Sequence, residues 1–183
     1  MKDSLQDVLS FWFEETSPAQ WFQVNEDFDQ LIRSRFGSLY AMAMQGVYDD
    51  WGRTVDGSLA LVIVLDQFPR NMFRDTPAAF GGDAKALQIS RRAIELGYDH
   101  VLAVHKRRFL YLPFEHSEVL ADQKESLDLF ETMRDDDPLS YDYALRHYRL
   151  IERFGRFPHR NIILGREPTP DEIAFLAEHG RGF

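Results

Sequence analysis

Three short polar clusters in this chain carry residue types that do chemistry. "FPRN" (Phe68–Asn71) and "FPHRN" (Phe157–Asn161) share a pattern in which a Phe-Pro pair is followed by arginine and asparagine, and "PFEHSE" (Pro113–Glu118) sets Glu115, His116, Ser117 and Glu118 side by side. Guanidinium groups grip carboxylates and phosphates through paired N–H bonds, and a histidine beside them donates or carries a proton near neutral pH. Arg70, Asn71, Arg156, His159, Arg160 and Asn161 are therefore the candidate ligand-binding residues, for a small anion, a carboxylate or a peptide. Glu115, His116 and His159 are the candidate general acids or bases, and Asp66 is a candidate orienting partner for an arginine.

Each cluster has an architectural use as well. Proline drives the preceding residue out of the helical region, so Phe68 and Phe157 are expected to be extended anchors plugged into the core. Arg70 and Arg160 would then neutralise carbonyls at helix ends, with Asn71 and Asn161 satisfying loop backbone. Glu115, Glu118 and Asp122 lie at i, i+3 and i+7, which on a helix puts three carboxylates on one side, Glu115 pairing with Arg108 or Arg156. Ser117 reads as a helix cap, since it lacks a nucleophile elbow, and His147 reads as a packing residue. No H-E-x-x-H spacing and no phosphate-cradling glycine loop occurs, so neither a metal nor a cofactor is expected.

The elements that must position these residues are helical. "SLQDVLSFWFEE" repeats apolar residues at helical spacing behind a Ser4–Asp7 capping box, and "EDFDQLIRSRFGSLYAMAMQ" does so between Asn25 and Gly46. "SLALVIVLDQF" is apolar nearly all round and reads as a central helix stopped by Pro69. Asp83 is expected to cap "AKALQISRRAIEL", "KRRFLYLPFEH" to be helical up to Pro113, Ser117 to cap "EVLADQKESLDLFETM", and "SYDYALRHYRLIERF" to end at Gly155. "TPDEIAFLAEHG" closes the series with Thr169, Pro170 and Glu172 as helix-start chemistry. The expectation is a single all-α domain over residues 1–183, about eight helices stacked as antiparallel hairpins, without a strict repeat.

Composition bounds the function. A formal charge of −9 disfavours nucleic acid and anionic membrane, and "LALVIVL" is too short to cross a bilayer. The absence of cysteine excludes disulfides and thiolate chemistry, and the N-terminal residues lack a signal-peptide pattern, which together predict a cytoplasmic protein. Partners are expected among small anions or peptides.

"VLSFWFEE", "LALVIVLDQFPRNMFR", "FLYLPFEHSE" and "RFGRFPHRNIILGREPTPDEIAFL", in that order, make the chain resemble the bacterial domain-of-unknown-function family numbered 924. The resemblance implies a tetratricopeptide-like all-α fold and no particular activity. Its motif positions here are Asp66, Gln67, Pro69, Arg70, Asn71, Glu115, His116, Ser117, Glu118, Gly155, Arg156, Pro158, His159, Arg160 and Asn161. Three readings of those residues stand: a binding module, an enzyme of unknown reaction, or a lattice of structural ion pairs.

Overall fold

A computed structural model describes residues 4–180, which are helices and turns with no strand among them. They divide into two compact units, one ending at Leu102 and one beginning at Ala103. No helix among the described residues is long and apolar enough to cross a membrane.

The first unit contains α1 (Leu5–Ser10), extended by a π turn over Phe11–Glu15, then α2 (Pro18–Phe22), α3 (Glu26–Met44), α4 (Val55–Val62), α5 (Phe68–Met72) and α6 (Asp83–Glu95). The Ser4–Asp7 capping box opens α1, and the Asn25 side chain accepts from the Phe28 N–H to open α3. The buried stripe of α3 is Phe28, Ile32, Phe36, Leu39 and Ala43, narrower than the sequence pattern suggests, because Leu31 lies 47% exposed. Aromatic packing ties the unit together: Phe36 stacks on Phe68 at 4.7 Å between ring centroids, and Phe11 tilts against Phe36 at 5.0 Å.

Residues 55–72 form one helical run, buried on every face from Gly57 through Pro69. Pro69 does not stop it. A proline ring crowds the carbonyl four residues back in an α-helix, but here a π turn, Ile63–Gln67, precedes it. The Phe68 N–H bonds back to the Ile63 carbonyl, the wider π spacing, and Pro69 falls in the first turn of α5, where no N–H is needed. Phe68 is consequently helical (φ −57°, ψ −42°), not extended as expected, although it is fully buried. The helix also starts earlier than read: Thr54 caps α4, which places Asp56 and Gly57 inside its first turn.

At the start of α6 the N-cap is Gly82, not Asp83. A Cβ on Gly82 would meet the Leu65 carbonyl oxygen at 2.1 Å, so no side chain fits where α6 crosses the π turn. Asp83 instead takes both arms of Arg70.

The second unit contains α7 (Val104–Glu115), α8 (Leu120–Glu131), α9 (Pro138–Phe154), a 3-10 turn over Pro158–Arg160, and α10 (Pro170–His179). α7 packs on α8 and α8 on α9. Pro113 lies inside the last turn of α7 rather than ending it. Val119, not Ser117, is the N-cap of α8; the Ser117 hydroxyl accepts from the Val119 N–H and donates to Asp122. Asp137 caps α9, whose inner face is Ala144, His147, Leu150 and Ile151, and Gly155 ends it at φ +67°. Beyond that left-handed residue Phe157 is extended (φ −85°, ψ 110°), as a residue before proline should be, and packs with Leu150 and Ile151.

Candidate functional site

The second unit brings two of the three polar motifs together. α7 ends on Glu115 with His116 as its C-cap, α9 presents His147 from its inner face, and the 3-10 turn after Phe157 presents His159 and Arg160. Glu115 is 4% exposed, His147 7% and Arg160 7%. The Arg160 guanidinium donates to the His116 carbonyl at 3.1 Å and lies over the Phe157 ring at 4.4 Å. This anchors the turn to the end of α7 through a helix C-terminal carbonyl, the architectural role read from the sequence.

His147 sits at the middle of this cluster. Its Nδ1 is 2.8 Å from the Tyr143 carbonyl and 3.3 Å from Glu115 Oε1. A carbonyl only accepts, so Nδ1 carries the proton of a neutral ring. Burial pushes the imidazole down to about 3 against the upward pull of the Tyr143 bond, and the positive fields of His116, Arg160 and His159 push the same way. The rings of His116 and Phe157 approach His147 to 6.4 and 5.4 Å, and His159 lies 5.7 Å from Phe157.

The acidic residues do not form one helical face, because α7 stops at Glu115 and Glu118 falls in the loop. Glu118 accepts both arms of Arg166, at 2.6 and 3.0 Å, and the Phe157 N–H at 2.8 Å. Burial alone would raise its carboxyl; the Arg166 fork and the backbone N–H outweigh that and lower it. Arg166 also donates to Asn161 Oδ1 and to the Phe157 carbonyl. Neither arginine expected beside Glu115 is there: Arg108 pairs with Asp137 and Arg156 grips Glu172 at 2.7 and 2.8 Å. Glu172 thus serves twice, in the Thr169 capping box and as the partner of Arg156, whose guanidinium holds its carboxyl down to about 2.

His147 is the packing residue its helical spacing predicts, buried on the inner face of α9 with Nδ1 satisfied by the Tyr143 carbonyl. Two further residues that build this region, Arg166 and Gln123, carry no motif in the sequence. Arg166 stands alone between a glycine and a glutamate. Gln123 is fully buried, and its amide nitrogen donates to the carbonyls of Glu115 and Ser117 at 2.6 and 2.7 Å, closing the end of α7.

Arg70 and Asn71 belong to the first unit. Arg70 donates to the Asp66 carbonyl, lies 3.2 Å from the Asp66 carboxylate, and forks onto Asp83, so Asp66 does orient an arginine. Asn71 donates to Asp29, which also takes a fork from Arg74. No group of His, Asp or Glu side chains among the described residues is arranged to hold a metal ion.

The family model for bacterial proteins of unknown function called DUF924 matches residues 8–180. A solved structure of a protein of unknown function from Agrobacterium tumefaciens superposes with a TM-score of 0.90 at 38% identity, over 95% of this chain and 97% of that one. No curated protein matches. With the match spanning nearly all of the chain and the polar motifs placed within its helices and turns, the chain belongs to the DUF924 family of bacterial proteins of unknown function.

Proposed function

We propose that the second unit is a binding module for a small anion, a carboxylate group above all, held by Arg160, His159 and His116. The observation that carries this reading is geometric: Arg160, buried to 7% exposure, is held on the His116 carbonyl and over Phe157, and the His116 and His159 rings stand around the same Phe157–His147 pair. A guanidinium in a partly dry site attracts an anion far more strongly than the same charge does in water. Arg156 and Arg166 serve as scaffold in this reading, each engaged by a carboxylate in a two-armed fork. Asn161, bonded to Arg166, sets the back of the turn that carries Arg160.

An enzyme remains the second reading, favoured by the 3.3 Å approach of Glu115 to His147. A ring held near 3 is neutral at neutral pH and a weak base, so general-base work would fall to Glu115, His116 or His159. Binding needs none of this and is therefore preferred. The test is calorimetric titration of the full chain with phosphate, acetate and a series of di- and tricarboxylates, repeated on Arg160→Gln and His159→Asn. At least one anion is expected to bind the parent chain and to lose tenfold or more in affinity, about 1.4 kcal/mol, on Arg160→Gln. Silence from every anion with the parent chain would leave Arg160 a structural residue and sink the proposal.

A further inference from the structure

A groove of about 670 Å³ lies in the first unit along α3 and the end of α5, a volume in the range of small-ligand sites. Its floor is Asp29, gripped by Arg74 at 2.7 and 2.8 Å and by the Asn71 amide nitrogen at 2.8 Å. The carboxylate decides how the Asn71 amide is turned: Nδ2 must face Asp29, so the carbonyl Oδ1 faces away from it. Asn71 is 5% exposed, lines the groove, and its Oδ1 accepts no hydrogen bond among the described residues. That oxygen opens on the groove, where a ligand N–H can replace the water that otherwise meets it.

The charges along the same wall are separated rather than matched. Arg74 balances Asp29, but Arg33 donates to two neutral acceptors, the Met72 carbonyl and Gln30 Oε1, and is in no ion pair among the described residues. Glu26 and Asp27, in the first turn of α3, are in none either. All three line the groove. Glu26 and Arg33 share one face of α3 at i and i+7, which at 1.5 Å rise per residue separates them by roughly 10 Å along the axis.

We infer that this groove binds a short peptide with both ends free, its ammonium beside Glu26 and Asp27, its carboxylate on Arg33, and one of its N–H groups on Asn71 Oδ1. Ligand length follows from the spacing: an extended chain advances about 3.3–3.6 Å per residue, so about three residues bridge the two charged ends, and a single amino acid is too short. Phe73, on the same wall, gives a side chain of the peptide an apolar surface to cover.

The test is calorimetric titration of the full chain with trialanine, N-acetyl-trialanine and trialanine amide. Trialanine is expected to bind, and blocking either end to weaken binding at least tenfold. Arg33→Gln should abolish the preference for the free carboxylate while keeping that for the free ammonium, and Glu26→Gln with Asp27→Asn should do the reverse. Arg33 also holds the Met72 carbonyl and Glu26 and Asp27 favour the start of α3, so the melting temperature of each variant is recorded, and titrations are run well below the lowest of them. The proposal is overturned if trialanine does not bind at concentrations up to about 10 mM, a limit corresponding to a binding free energy weaker than about 3 kcal/mol. Equal binding of the capped peptides, or Arg33→Gln binding both acid and amide as the parent does, overturns it as well.

Discussion

Arg166 shows how a residue without a motif comes to hold two motifs. Its guanidinium forks onto Glu118 of the "PFEHSE" stretch and also reaches the Phe157 carbonyl and the Asn161 side chain of the "FPHRN" stretch. Both partners of the ion pair are about three-quarters covered, with side-chain exposures of 24% and 26%. Arg166→Met strands the Glu118 carboxylate in that half-dry position and removes two further acceptors' partner, so a loss of roughly 1–2 kcal/mol in urea unfolding is expected, below the cost of breaking a fully buried pair. Arg53→Ala, which breaks a pair whose side chains are both more than four-fifths exposed, should leave the urea midpoint within error. If the two variants unfold alike, the Arg166 fork contributes nothing and the motifs are held by packing alone. The sequence offered the charges of Glu118 and Arg166 but not their pairing, since 48 residues separate them.

At the scale of elements, the π turn at Ile63–Gln67 is the feature with the widest consequences. It lets a proline continue a buried helix, keeps Phe68 helical and in stacking distance of Phe36, and presents the Leu65 carbonyl to the start of α6. Gly82 sits at φ −91°, a backbone conformation any residue adopts, so alanine there is opposed by space and not by torsion. Gly82→Ala should therefore cost about 2 kcal/mol or more, as overpacking against rigid backbone does. Gly81→Ala, whose Cβ would stand 3.4 Å from its nearest neighbours, should cost much less, and the difference in urea midpoint between the two is the measurement. Equal midpoints would mean that α6 shifts away from the π turn at little cost. "LALVIVLDQFPRN" advertised a buried helix by its apolar run and a helix end by its proline; the first held, and the second did not, because π spacing is a property of the backbone that residue types do not announce.

For the whole molecule the clearest expectation concerns acid. His147 binds a proton less readily folded, at about 3, than at the ordinary 6.5 of an unfolded chain. The unfolded state therefore takes up more protons between pH 6.5 and about 3, and stability falls as pH falls through that window. The slope from this one ring approaches about 1.4 kcal/mol per pH unit, so roughly 2 kcal/mol is lost between pH 6.5 and 4.5. Glu118 and Glu172 have depressed carboxyls, whose stabilising contribution is present above 4.5 and lost below it, for Glu172 down to about 2, so they steepen the same decline further into acid. Urea unfolding at pH 7, 6, 5 and 4 should show this fall, and His147→Phe should flatten the part above pH 4.5 while leaving the steeper acid limb. A parent chain equally stable at pH 7 and pH 5 would show that the buried ring titrates normally.

What the sequence determined by itself is what local physics can write. Capping boxes at Ser4 and Thr169, the Asn25 cap, the left-handed Gly155 and the apolar stripes identify helices because each depends on neighbours within a few residues. The extended Phe157 is local in the same way. The tertiary structure alone decided which charge meets which. Glu115 and Arg156, expected as partners, went to His147 and Glu172, and His147, packed as expected, brought Glu115 and the ring of Phe157 to one place. A charged side chain forks with almost any opposite charge that packing delivers to it, so its identity restricts the chemistry of the contact and not the address, and the address is set by how helices far apart in the chain bury their apolar faces.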